Sequence, residues 1–241
     1  MKSHPTIVIT GASQGIGAGL VNRFLERGYN VVATSRDISK STNVPQSERL
    51  VRVDGDVADP ATAARVVEAA LAKFGSVDAL VNNAGVFIPK PFVDTTVEEY
   101  RKLLSVNMDG FVFMTQHVLR QMIAQGTGGS VVSITSPLTT SPITGVPAAA
   151  TMITKGGIEA ASRNIAMEYA PQGIRVNMVA PGIVDTPMHA AGDKSALATL
   201  SPLHGISSIN EVVDAVVYVT EAPRVTGETI RVDGGSHLGK W

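Results

Sequence analysis

The chain contains no cysteine, so neither a disulfide nor a thiolate carries its stability or its chemistry. Aromatic residues make up only 5% of it. The core must therefore be built from aliphatic strands and close-packed helices. Twenty lysines and arginines nearly balance 21 aspartates and glutamates, with no basic run or stripe, so no nucleic-acid partner is expected. No stretch is long and apolar enough to cross a bilayer, and no membrane partner is expected either. MKSHPTIVIT enters a strand without room for a secretory apolar segment, which makes a cytoplasmic location the expectation. No ligand spacing for a metal is present, so no metal site is expected. One last absence is local: neither tyrosine nor histidine occurs between Ser136 and Lys155.

What is present is an alternation of short β-branched runs with longer helical patterns. The 241 residues suit one α/β domain spanning 1–241. Strands are expected at Thr6–Thr10, Asn30–Ser35, Leu50–Asp54, Ala79–Asn82, 131–134, 175–180 and Thr229–Val232. Helices are expected at 15–27, Pro60–Phe74, much of 97–125, 151–170 and 210–219. Asp59 reads as an N-cap, with Pro60 at the first helical position. Such alternation predicts right-handed βαβ units in a doubly wound, Rossmann-like α/β sheet. The Gly-, Pro-, Ser- and Ala-containing stretch 189–208 follows a strand and is a candidate mobile substrate lid.

After the first strand comes Thr10-Gly11-Ala12-Ser13-Gln14-Gly15-Ile16-Gly17. Glycines at a strand-to-helix turn let a pyrophosphate approach the helix N-terminus. The pattern G-x-G-x-x-G is not met, because Leu20 occupies its last position. Standing alone, the turn reads equally as a tight turn without a ligand. It does not stand alone. Asp56-Val57 follows the third strand and Asn82-Asn83-Ala84-Gly85 the fourth. Asn107, Arg175-Val176-Asn177, Pro181-Gly182 with Thr186, Val225-Thr226-Gly227 and Val232-Asp233-Gly234-Gly235 come later in the chain. In this order, from residue 6 to residue 235, the chain resembles the short-chain dehydrogenases/reductases.

The resemblance implies a seven-stranded parallel sheet binding a nicotinamide dinucleotide at its strands' carboxyl ends. It implies contacts from Gly11, Ser13, Gln14, Gly15, Ile16, Gly17, Lys155, Pro181 and Gly182. Asp56 and Val57 would hold the adenine, and Asn83, Ala84 and Gly85 the ribose. Ile183 and Thr186 would meet the nicotinamide carboxamide and its phosphate side. At the end of the second strand, Ser35 and Arg36 stand where a carboxylate would select against a 2′-phosphate. A hydroxyl beside a guanidinium favours that phosphate, so NADP is the expected cofactor. The alternative is an ordinary surface pair between Arg36 and Asp37.

The family's catalytic set is a Ser that polarises the carbonyl, a Tyr that passes the proton, a Lys that tunes the Tyr and an Asn that holds a water. Asn107, Ser136 and Lys155 match it, and Thr151 stands four residues before the lysine, in place of the tyrosine. Ser136 lies about two residues further from the lysine than the family pattern has it. Ser133 and Ser141 are alternatives, and strict spacing would fall on Leu138. Threonine has no useful titration, so another acid is needed. His189, His204 and His117 are weaker candidates than a water linked to Lys155 and Asn107. The leading expectation is an NADP(H)-dependent carbonyl reductase or alcohol dehydrogenase acting on a small to medium, fairly apolar substrate. A cofactor-binding protein without turnover and a non-redox enzyme on the same scaffold are the alternatives. Phe111, Val112, Met114, Val118, Leu119 and Met122 exceed one core-facing stripe, and with the family's usual four-helix contact they suggest a homotetramer.

Overall fold

A computed structural model describes residues 4–189 and 192–239. It contains β1 (Thr6–Thr10), α1 (Gly15–Glu26), β2 (Asn30–Ser35), β3 (Leu50–Asp54), α2 (Pro60–Phe74) and β4 (Ala79–Asn82). Then come α3 (Val97–Leu103), a π-helical segment (Leu104–Asp109), α4 (Gly110–Gln125), β5 (Gly129–Ile134) and α5 (Ala149–Tyr169). β6 (Ile174–Pro181), α6 (Lys194–Ala198), α7 (Ile209–Glu221) and β7 (Thr229–Val232) complete the order. The expected elements are met to within about two residues at their ends, where helices fray.

The seven strands form one sheet in the order β3-β2-β1-β4-β5-β6-β7, and every pairing is parallel. The order reverses between β1 and β4, the switch point where such sheets open a crevice at their carboxyl ends. Side chains alternate across each strand. Ile7 and Ile9 therefore pack with Leu20, Phe24, Val213 and Val216 of α1 and α7. Val8 and Leu80 pack on the other face with Val66, Met114 and Met122 of α2 and α4. β1 is buried throughout, which is why it reads as a continuous apolar run.

Two local details bear on the site. The tract 97–125 is not one regular helix, because a π-helical segment at Leu104–Asp109 carries Asn107. Part of 189–208 is ordered as α6, since the Asp193 side chain accepts from the amides of Ser195 and Ala196. Residues 190 and 191 of that stretch lie outside the described residues. The apolar surplus of α4 is also accounted for within the chain. Phe111, Met114, Val118, Leu119 and Met122 are buried in it, and Val112 is half-buried. The argument for a subunit contact therefore loses these residues. Among the described residues no helix is long and apolar enough to cross a membrane, and no cluster suited to a metal ion occurs.

Candidate active site

The glycine-rich turn is shaped by contacts that exclude a side chain. Gly11 and Gly15 have φ of 63° and 56°, which L-residues with a Cβ rarely adopt. A Cβ on Gly17 would lie 2.2 Å from the Gly11 carbonyl oxygen. The turn is tied to β4 from both sides. Asn83 Nδ2 donates to the carbonyls of Thr10 (2.9 Å) and Gly11 (3.1 Å). Thr10 Oγ1 accepts from the amides of Asn83 and Ala84, both at 3.0 Å. α1 has neither a side-chain cap nor an acidic residue in its first turn. Its N-terminus is thus left free and positive, as an anion site requires. Thr186 overhangs this turn, 3.4 Å from where a Cβ of Gly15 would be.

At the end of β2 the Ser35 hydroxyl is buried without a partner. Arg36 is exposed and makes no ion pair among the described residues. The pairing of Arg36 with Asp37, held open from the sequence, is not formed, because Asp37 accepts from Lys40 Nζ at 2.8 Å instead. Asp56 closes its own turn by accepting from the Ala58 amide. Val57 is buried, its side chain beneath Gly110. Gly182 donates its amide to Val232, and a Cβ there would meet the Cα of Asp233 at 2.9 Å. Pro181 ends β6, and Ile183 accepts from the Ser207 amide. The glycines without room for Cβ atoms, the free helix end and the orphan Ser35 hydroxyl together suit a dinucleotide with an extra anionic group near Arg36. Ser13, Gln14 and Ile16 lie on the same turn.

The polar residues around Lys155 form a connected set. Lys155 Nζ donates to the Ile134 carbonyl at 2.7 Å. Burial lowers the lysine from its ordinary 10.5 to about 8, because desolvation penalises its charged form. Gly85 lets the ammonium in, since a Cβ there would lie 3.1 Å from Nζ. Asn107 Oδ1 accepts from the Val86 amide, and its Nδ2 donates to the Val86 carbonyl and to Thr154 Oγ1 (2.9 Å). The asparagine thereby locks the segment after β4 against α5. A small cavity of about 10 Å³ lies among Lys155, Asn107, Ser133, Asn82 and Thr10, room for about one water. The Ser133 hydroxyl on its wall has no protein partner.

Ser136 leaves β5 in extended conformation and caps a short 3₁₀ turn, its Oγ accepting from the Leu138 amide at 3.3 Å. Thr151 and Lys155 share a face of α5, but the Thr151 hydroxyl is spent elsewhere. It accepts from the Ile88 amide (3.2 Å) and donates to the Ile88 carbonyl (3.3 Å), with no exposure. Two of the candidate histidines are also engaged by backbone carbonyls. His189 Nδ1 lies 2.9 Å from the Val184 carbonyl and His117 Nδ1 2.9 Å from that of Phe113. His204 has a φ of 47° in the 201–207 segment. Sequence reasoning missed Thr154 and Glu159, and the contact of Thr151 with the Ile88 backbone. Thr154 was findable as the neighbour of Lys155, whereas the Ile88 backbone contact left no sequence signal.

Comparison with known proteins identifies the family. A family model described as enoyl-(acyl carrier protein) reductase matches residues 11–237. The chain is 33% identical to a cis-4-hydroxycyclohexanecarboxylate dehydrogenase of Sinomonas cyclohexanicum, over 95% of this chain and 94% of that one. It is 32% identical to an NADP-dependent (R)-specific alcohol dehydrogenase of Lentilactobacillus kefiri, over 95% and 94%. Among solved structures, a 3-ketoacyl-(acyl-carrier-protein) reductase from Brucella melitensis complexed with NADH superposes with a TM-score of 0.91 at 28% identity, covering 98% of this chain and 100% of the other. ElxO with NADP bound gives 0.89 at 26% identity, covering 97% and 98%. The chain belongs to the short-chain dehydrogenase/reductase family of NAD(P)-dependent oxidoreductases.

Proposed function

We propose that this protein transfers a hydride between NADP(H) and a small to medium, fairly apolar carbonyl or alcohol, through a site that lacks the family's tyrosine. The observation that carries the reading is the buried Lys155, joined through its cavity to Asn107 and Ser133 and lying on the helix that faces the Ser136 turn. NADP is supported by Arg36, which makes no ion pair among the described residues, beside the orphan Ser35 hydroxyl. A relative whose name specifies NADP and a structural neighbour with NADP bound support it further.

The bound nicotinamide would supply or accept the hydride. Gly11, Ser13, Gln14, Gly15, Ile16 and Gly17 would cradle its pyrophosphate at the start of α1, and Asn83, Ala84, Gly85 and Lys155 its ribose. Ser136 Oγ already accepts from Leu138, so its own proton is left for the substrate oxygen. An oxygen held this way is polarised without reorganisation. In carbonyl reduction the oxygen takes its proton from the Lys155 ammonium, directly or through one water in the adjoining cavity. The resulting amine is recharged from solvent. Thr151 does not enter this path, because Ile88 holds its hydroxyl.

The stretch 189–208 serves as the substrate lid, with Met188 exposed at its near end. The cytoplasmic location belongs to the same reading. So does a homotetramer, now supported by apolar side chains exposed on α3 and α5, Val97, Tyr100, Ile153 and Met167, in place of the buried face of α4. The engaged Thr151 hydroxyl also favours a second reading, a protein that binds NADP(H) without turnover. The test is a panel of ketones, aldehydes and diones with NADPH and NADH, beside Lys155→Ala. Oxidation of NADPH that Lys155→Ala lowers by about 10²–10⁴-fold is expected. NADPH binding without oxidation of any substrate would select the second reading.

A further inference from the structure

The turn after Ser136 is anchored by a buried carboxylate that the proposed reaction does not use. Glu159 lies one helical turn beyond Lys155 on α5 and is 3% exposed. Its Oε1 is 2.9 Å from Thr139 Oγ1. Its Oε2 accepts from Arg163 Nη2 at 3.2 Å, and that guanidinium also reaches Thr229 Oγ1 on β7 at 3.4 Å. Thr139 in turn holds Ser136. Its hydroxyl is 2.9 Å and its amide 3.3 Å from the Ser136 carbonyl.

The proton count decides how these bonds run. The Thr139 hydroxyl has one proton and two acceptors at the same distance. A carboxylate paired with arginine is the stronger acceptor, so the hydroxyl donates to Glu159 and the Thr139 amide serves the Ser136 carbonyl. The 3₁₀ turn is thereby docked on α5 through a side chain, and its amide at Leu138 stays aimed at Ser136 Oγ. Two further amides, of Thr140 and Ser141, close on the Pro137 carbonyl. The segment 140–147 beyond this turn is mostly exposed and makes few bonds to the rest of the chain. The docking at Thr139 thus restrains the direction of the Ser136 hydroxyl, beside the buried Pro137 and the Arg231 contact with Thr140 Oγ1. A carboxylate with little exposure is costly unless it is paired and hydrogen-bonded. Arg163 and Thr139 meet that cost here.

We infer that Glu159 is a positioning residue: acting through Thr139 and held by Arg163, it fixes the turn that aims the Ser136 hydroxyl at the substrate oxygen. The inference rests on the proposed oxidoreductase reading for its kinetic consequence, but not for its structural one. The experiment therefore has two arms on the full-length protein, with Glu159→Ala, Glu159→Gln, Thr139→Val and Thr139→Ser. In the first, amide hydrogen exchange at residues 138–141 should quicken by about tenfold or more in Glu159→Ala and Thr139→Val. Glu159→Gln and Thr139→Ser keep an acceptor and a hydroxyl, and should restore most of the protection. In the second, kcat for carbonyl reduction should fall about 10- to 100-fold in the first two variants, with the NADPH Kd unchanged and recovery in the conservative pair. If Glu159→Ala does not fold, the Thr139 pair decides. Parental exchange at 138–141 in Thr139→Val overturns the inference, as does loosened exchange with unaltered kcat. A parent protein that oxidises no NADPH would instead sink the oxidoreductase reading, and the exchange arm would still judge the clamp.

Discussion

The two sides of the switch point are held by different means. On the β1–β4 side the turn Thr10–Gly17 is set by main-chain geometry. Two glycines at positive φ and one pressed against a carbonyl oxygen shape it, and Asn83 and Thr10 tie it to β4 through backbone groups. On the β5–β7 side the positions are set by side chains reaching across the fold: Asn107 to Thr154, Thr151 to the Ile88 backbone, Glu159 to Thr139. A backbone-defined site tolerates few residue types and leaves a motif behind. A site defined by side chains reaching across the fold can be rebuilt with other residues and leaves no comparable motif.

The contrast can be broken most severely on the cofactor side. Gly17→Ala places a methyl carbon 2.2 Å from the Gly11 carbonyl, and neither partner is a flexible side-chain end. NADPH binding should be lost, with a fall in stability of about 1–3 kcal/mol as the turn shifts. Cofactor titration beside thermal unfolding checks both, and parental affinity would show that the turn is looser than its contacts imply. Arg36→Ala should be milder and selective, weakening NADPH about 10- to 100-fold, the scale of a charge-assisted contact. NADH should be nearly unaffected, and fluorescence titration of both cofactors measures the ratio. Tighter binding of NADH than NADPH by the unmodified protein would reverse the cofactor assignment.

On the substrate side the expected effects are smaller. Thr151→Val removes a hydroxyl that pairs both ways with Ile88 and leaves a part-buried amide and carbonyl short of a partner. Chemical denaturation should register a loss of about 0.5–1.5 kcal/mol, with NADPH affinity kept. Thr151→Tyr, the obvious attempt to restore a proton donor, meets the same buried contact. It should lose stability through overpacking and fail to raise the rate unless the Ile88 segment yields. A faster, stable Thr151→Tyr protein would show that the two halves differ less than proposed.

The gentlest probe is pH. Burial lowers Lys155 to about 8, so its ammonium is lost as pH rises through that value and not near 10.5. Proton donation needs the ammonium. kcat/KM for carbonyl reduction should therefore fall about tenfold per unit above it, as expected for an essential acid of the free enzyme. Alcohol oxidation, which needs the free amine, should gain through the same window. Between the lowered and the ordinary value the unfolded chain holds a proton that the native chain lacks. This group's contribution to stability thus rises with pH there. A flat profile from pH 7 to 9 would remove Lys155 from the proton path.

Strand–helix alternation, the glycine spacing and the ordered motifs were enough to determine a doubly wound sheet, its strand positions and the crevice at its switch point. Parallel strands buried on both faces must be aliphatic, and a turn without room for Cβ must be glycine, so these features are written one residue at a time. Lys155, Asn107 and Ser136 were legible as residues, but not in their bonding. That Asp37 would choose Lys40 over Arg36 depended on how a short turn folds. The engagement of Thr151 by Ile88, 63 residues away, and of Thr139 by Glu159, 20 residues away, depended on how separate elements pack. So did the use of α4's apolar face inside the chain's own core. Hydrogen bonds between distant side chains have no period and no spacing, and only the tertiary structure decides which hydroxyl is spent and which is free.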